Sequence, residues 1–210
     1  MRSPSYYIKN PDRLLIGLIM KFNFLFPDKI YLKILYRLKM GKKLNLKSPI
    51  TFNEKLQWLK LYDRKSEYTQ MVDKCEAKKY VAKIIGEEYI IPTLGVWEKF
   101  DEIDFDSLPK QFVLKTTHGG GGSGVVICKD KNNFDIEKCR TILGRSMKQN
   151  IYKTLREWPY KNITPRIIAE EYIGDGKDYI NDYKFFCFDG EPKAILIANG
   201  RFVESQTYFD

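Results

Sequence analysis

Residues 112–127, Phe-Val-Leu-Lys-Thr-Thr-His-Gly-Gly-Gly-Gly-Ser-Gly-Val-Val-Ile, constrain this chain more than any other stretch. An apolar run ends in Lys115, a glycine-rich turn follows, and a β-branched run starts at Val125. The local pattern is strand, loop, strand. Glycine tolerates positive φ and leaves backbone N–H groups bare, so such a turn can wrap an anion closely. Lys115 at its lip adds a mobile positive charge that can reach phosphate oxygens.

The order of parts excludes the better-known glycine loops. A Walker A loop has its Lys after the glycines, at a helix start. Here the Lys precedes them, and Val125-Val126-Ile127 opens a strand. The protein-kinase loop places its Lys on a later strand, and the dinucleotide fingerprint requires a helix directly after the turn. On its own, the segment reads either as a phosphate-binding loop or as a loose hairpin tip.

With 210 residues the chain can bury a real core in one or two domains. Its 14 Tyr and 13 Phe exclude a disordered polymer. The net charge of +9 points to an anionic partner such as a nucleotide, nucleic acid, anionic lipid or acidic glycan. Much of that excess lies in the first 65 residues. Cys75, Cys128, Cys139 and Cys187 form no C-x-x-C pair, so reduced thiols in a cytosolic protein are expected rather than zinc or disulfides. The apolar run 14–26 is interrupted by Lys21 and Asn23 and falls short of the ~20 residues of a spanning helix. No small-residue cleavage site follows it. It reads as a helix buried by its amphipathic face, with a membrane-surface helix as the competing reading.

Residues 11–40 read as one or two helices, begun by Pro11 and divided at Pro27. Thr51 and Glu54 form a capping-box pattern for a helix through about Tyr62, with Phe52, Leu56, Leu59 and Trp58 as its apolar face. A helix over 72–85 closes at Gly86, and another spans 135–147. Strands are expected around 89–97, at 112–116 and 125–129, and over 167–173, 183–188 and 192–198, with a hairpin turn at Asp189-Gly190. The segment from Ile151 to Pro159 has no clear period. The whole is an α+β pattern behind a helical N-terminal third.

Other candidate residues each admit two readings. Glu170 and Glu171 close an apolar strand before Tyr172-Ile173-Gly174. They are either solvated acids or a nucleoside grip, with carboxylate on ribose and backbone on the adenine edge. Lys184, flanked by Asp182 and Phe186 on its strand face, is either a second phosphate ligand or the partner of Asp182. His118, the chain's single histidine, lies inside the loop with no nucleophile motif, which favours loop shaping or phosphate contact over base catalysis. Asp73-Lys74 is a surface pair or a substrate-side contact. Asp104-Phe-Asp106 has the Asp-x-Asp spacing of a sugar-nucleotide metal motif.

In order, Thr51-Phe-Asn-Glu-Lys-Leu-Gln-Trp-Leu-Lys-Leu-Tyr-Asp, Asp73-Lys74, Phe112-Val-Leu-Lys-Thr-Thr-His-Gly-Gly, Ala169-Glu-Glu-Tyr-Ile and Asp182-Tyr-Lys-Phe-Phe-Cys-Phe-Asp-Gly-Glu-Pro-Lys resemble the ATP-grasp superfamily. Within it they resemble the TupA-like group of bacterial polysaccharide and teichuronopeptide biosynthesis. The resemblance implies an α+β ATP-grasp fold: a helical region over 1–70, a first lobe with the glycine loop over 71–165, and the start of a second lobe over 166–210. It implies ATP held by Lys115, by the loop residues His118, Gly119, Gly120, Gly121, Gly122, Ser123 and Gly124, by the hinge Glu170, Glu171, Tyr172 and Ile173, and by Lys184.

The reaction it implies is ATP-dependent carboxylate–amine ligation through an acylphosphate, joining a carboxylate-bearing sugar or polysaccharide precursor to an amine in the cytoplasm. Mg²⁺ belongs to that chemistry, and its ligands are expected beyond Asp210, which makes the chain read as C-terminally truncated. No nucleic-acid partner is implied, and the basic N-terminal region offers peripheral membrane contact. The competing classes are a glycosyltransferase-like enzyme of the same pathways and a non-catalytic fragment.

Overall fold

The computed structural model describes residues 11–122, 124–174, 181–198 and 207–209. The chain divides into two units, 1–171 and 172–210.

In the first unit, helix α1 (Pro11–Lys21) and helix α2 (Asp28–Met40) pack over Ile19, Tyr31, Leu32, Leu35, Tyr36 and Leu44. Pro27 separates them, because a proline has no N–H to continue the first helix yet suits the start of the second. Gly41 ends α2 in the left-handed region. Helix α3 (Phe52–Tyr62) begins with the expected capping box: Thr51 accepts from the Glu54 N–H and Glu54 accepts from the Thr51 N–H. Its expected apolar face is not covered within the described residues. Phe52, Leu56, Trp58 and Leu59 are exposed, and Glu54 is the buried residue.

Helix α4 (Glu67–Val72) leads directly into helix α5 (Lys74–Ile85). Asp73 caps α5, accepting from the N–H groups of Cys75 and Glu76. That cap starts the helix expected over 72–85 at Lys74 instead, and α4 before it is an additional element.

Strands β1 (Thr93–Trp97), β2 (Phe112–Thr116), β3 (Val125–Cys128) and β4 (Ile167–Glu171) form one antiparallel sheet in the order β1-β4-β2-β3. Strand β4 enters between β1 and β2, which explains why Ile167-Ile168-Ala169 reads as an unbroken apolar run: it is covered on both faces. On one face, Phe112, Leu114, Cys128, Ile167 and Ala169 pack with Cys139 and Leu143 of helix α6 (Ile136–Met147). The segment with no clear period becomes a short helix, α7 (Ile151–Leu155), and a single turn at Trp158–Tyr160.

Helix α7 is tied to α1 and α2 by Arg156, whose buried guanidinium lies 4.1 Å from the Tyr31 ring centre. It donates to the carbonyls of Lys153 (2.6 Å) and Asn23 (2.6 Å) and pairs with Asp28 (3.0 Å).

The second unit contains an antiparallel sheet β5-β6-β7, with β5 (Asp182–Phe188), β6 (Glu191–Ala198) and β7 (Thr207–Phe209). Asp189 (φ 51°) and Gly190 (φ 80°) both take positive φ in the two-residue turn between β5 and β6, as the Asp-Gly signal requires.

Candidate functional site

The register of β2 against β4 sets the site. Lys115 pairs with Ile168 and Val113 with Glu170, so Lys115 and Glu170 are diagonal neighbours on the sheet face opposite α6. Their side chains meet in an ion pair. The other Glu170 oxygen accepts from Lys78 of α5 at 2.9 Å, and Lys78 also donates to Thr93 at 3.0 Å. Glu170 is only 5% exposed. It is therefore no solvated surface acid, whereas Glu171 is exposed. Burial pushes the Glu170 carboxyl up, but the Lys115 and Lys78 ammoniums outweigh it and hold it below its ordinary range.

Beyond Lys115, β2 runs into the glycine turn. The Thr116 N–H donates to Gly124 O at 3.0 Å and closes the hairpin. Gly124 has φ +74°, and a Cβ there would press into the Ser146 hydroxyl and lie 2.7 Å from Thr116 Oγ1. These two hydroxyls are hydrogen-bonded to each other at 2.8 Å. Only glycine meets both demands. Gly121 (φ +63°) and Gly122 (φ +80°) also need positive φ, but open space surrounds them. Ser123 lies outside the described residues.

His118 shapes the base of this loop. Its Nε2 lies 3.2 Å from Ser146 O and 3.1 Å from Gln149 O, beyond the end of α6. Carbonyls only accept, so Nε2 carries the hydrogen in this network, and Nδ1 is a buried acceptor with no partner among the described residues. Burial pushes the imidazole pKa down, against the two carbonyls, which favour the protonated form. The Thr117 hydroxyl next to it is likewise buried with no partner among the described residues.

Asp73-Lys74 proves to be part of the frame rather than a surface pair. Lys74 donates through its ammonium to the carbonyls of Thr116 (3.1 Å), Thr117 (3.4 Å) and Gly119, bracing the loop from α5. Burial lowers its pKa, and the nearby Lys115 lowers it further, against Asp73 and Glu170. Arg166 holds Asp73 (3.2 Å) and Glu76 (3.0 Å) beside a cavity of about 350 Å³ that Glu98 and Thr164 also line.

The structure thus brings together Lys115, His118, Gly119, Gly120, Gly121, Gly122, Gly124 and Glu170 at one end of the first sheet. Glu171 follows on β4 with its N–H given to Pro92 O at 3.1 Å. Tyr172, Ile173 and Lys184 belong to the second unit, which begins at Tyr172. There Lys184 pairs with Asp182.

The sequence reading passed over Lys78. The available signal was its spacing: Lys74 and Lys78 lie one turn apart behind an Asp cap, so both face the strand lysine. Asp104 Oδ1 accepts from the N–H groups of Asp106 (3.0 Å) and Ser107 (3.4 Å), which accounts for the Asp-x-Asp spacing as a capped turn. Among the described residues no group of three or more His, Cys, Asp or Glu is placed to hold a metal ion. Both oxygens of Glu170 are already taken by ammoniums, so these residues do not make a Mg²⁺ site. They do suit a polyanion, with three lysines and an open glycine turn around a single carboxylate.

Comparison with known proteins gives a family. Residues 54–210 match the family described as TupA-like ATPgrasp. Neither the curated proteins nor the solved structures gave a match. With its glycine hairpin, strand lysine and mixed helix-and-sheet architecture inside the matched span, the chain belongs to the TupA-like ATP-grasp family.

Proposed function

We propose that this protein binds ATP at the glycine hairpin and serves as a carboxylate–amine ligase of cell-surface polysaccharide biosynthesis, working in the cytoplasm. The observation that carries the proposal is the Glu170 carboxylate shared by Lys115 and Lys78 beside the open hairpin. Without ligand, this carboxylate is an internal counterion for a cluster built to meet a polyphosphate.

On ATP binding, Lys115 exchanges Glu170 for phosphate oxygens, while Lys78 remains to neutralise the carboxylate. Gly121 and Gly122 offer backbone N–H groups with no Cβ to hold the phosphates away. His118 and Lys74 fix the base of the loop, so less freedom is lost when the phosphates are gripped. Since Glu170 is occupied, the exposed Glu171 is the better carboxylate for the ribose hydroxyls.

The reaction supported by family membership activates a poor electrophile. A substrate carboxylate oxygen attacks the γ-phosphorus and ADP leaves; the amine then attacks the acyl carbon and phosphate leaves. Lys115 acts by offsetting the charge that builds on the transferred phosphoryl group.

The test is calorimetric titration of the folded chain with ATP, with and without Mg²⁺, beside a UDP-sugar. ATP is expected to bind, and Lys115→Ala to weaken it at least about tenfold, the value of one lost charge-assisted contact. No ATP binding by folded protein under either condition would sink the proposal, and a preference for the UDP-sugar would replace it with the glycosyltransferase reading.

A further inference from the structure

The N-terminal helix pair carries an apolar surface that the fold does not use. Helix α1 contributes Ile19 to its core, with Ile16 and Met20 packed beside it. On its other side Leu14 and Leu18 lie one turn apart, and Phe22 and Leu25 prolong the stripe through the following turn, all of them 42–64% exposed. Leu15 and Phe24 widen it. The sequence expectation of a helix buried by its apolar face is thus met on one side only. A contiguous apolar stripe of this kind marks an interaction surface rather than ordinary scattered exposure.

Charge says what meets it. Between residues 11 and 43 there are eight Lys and Arg against two Asp. Asp28 is already neutralised within the protein, by Arg64 at 2.8 Å and Arg156 at 3.0 Å. Lys29, Lys33 and Arg37 recur one turn apart on the exposed side of α2, and the Lys21 ammonium lies 5.8 Å from the Phe22 ring centre, next to the stripe. The exposed Ile84 and Ile85 at the end of α5 lack this excess, since Glu87 and Glu88 follow them.

We propose that the α1–α2 pair docks on an anionic phospholipid bilayer. Helix α1 lies in the interface plane with Leu14, Leu18, Phe22 and Leu25 in the acyl boundary, and the basic side chains meet headgroup phosphates. Apolar insertion and electrostatic attraction are the two terms that hold such a helix. No helix among the described residues is long and apolar enough to cross the membrane, so the contact is peripheral. A second copy fits poorly, because it would bring one basic surface against another.

The experiment is co-sedimentation of the full chain with vesicles of phosphatidylcholine alone and of phosphatidylcholine with about one third phosphatidylglycerol, at low and high salt. Binding is expected to the anionic vesicles, to fall as salt rises, and to drop about tenfold in Leu14→Asp/Leu18→Asp, since two half-exposed leucines lose their insertion. A second variant, Lys29→Glu/Lys33→Glu, keeps the stripe and is expected to lose the preference for anionic lipid. Both pairs are surface positions, and circular dichroism checks that the variants fold. Three results would overturn the proposal: no binding to anionic vesicles at low salt, equal binding to neutral ones, or a dimer in solution that Leu14→Asp/Leu18→Asp converts to a monomer.

Discussion

Replacing Glu170 by Gln tests the site most directly, because it removes one charge and leaves the shape. In the wild type the carboxylate neutralises Lys115 and Lys78, whose side chains remain 24% and 16% exposed. Removing one partner of a fully buried ion pair costs about 3–5 kcal/mol, because the other charge is left stranded. Here both ammoniums keep some access to water, and the Gln oxygen can still accept from one of them. The expected loss at pH 7 is therefore about 2–3 kcal/mol, or roughly 5–10 °C in Tm for a chain of this size.

The pH dependence gives a second reading. The folded Glu170 carboxyl is held below its ordinary value of 4.5. Its contribution is present above that value and is lost as pH falls through the folded value. The gap between wild type and Glu170→Gln should be constant at neutral pH and narrow below about 4.5. Urea unfolding at pH 7, 5 and 4 measures both quantities. Added tripolyphosphate should raise the Tm of the variant more than that of the wild type, because the lysines then lack their internal competitor. A variant as stable as wild type at pH 7, or a gap that persists unchanged at pH 4, would refute the role of Glu170 as counterion.

Gly124→Ala forces a Cβ into the Ser146 and Thr116 hydroxyls at φ +74°. It should cost about 3 kcal/mol or more in urea unfolding, whereas Gly122→Ala meets only the unfavourable φ and should cost about 1–2. His118 has its pKa lowered from 6.5 by burial, so the unfolded chain takes up the proton first. Stability should fall as pH drops from about 6.5 towards the folded value, by at most about 1.4 kcal/mol per pH unit, and His118→Gln should flatten that slope in urea midpoints. Arg156→Met keeps the stem but loses the bonds to Asp28, Asn23 and Lys153, at about 3–5 kcal/mol. Hydrogen exchange should then show α1 and α2 released before the first sheet.

Local patterns in this sequence were sufficient wherever the physics was local. The Thr51/Glu54 capping box, the Asp189-Gly190 turn and the break at Pro27 each depend on backbone φ or on a bond spanning three residues, so residue type alone decides them. The glycine hairpin was legible for the same reason: alternate apolar runs fix the strands, and positive φ demands glycine between them. Its ligand was less so, because a bare turn has the same local signature whether or not it meets an anion.

Tertiary structure decided what pairs with what. Glu170 was indistinguishable from Glu171 until β4 entered beside β2 and alternation turned one carboxylate towards Lys115 and the other to solvent. Lys78 gained a role only because α5 crosses the same sheet face, and Arg156 reached Asp28 only once α7 folded against the N-terminal helices. Burial divided α1 in the same way, giving Ile19 to a core and leaving Leu14 and Leu18 outside. The sequence by itself determined the elements and the turn, since short-range sterics and backbone bonds are written residue by residue. Only the tertiary structure determined which charges are stranded, shared or exposed, because the energy of a charge is set by neighbours far away in the chain and by the water they exclude.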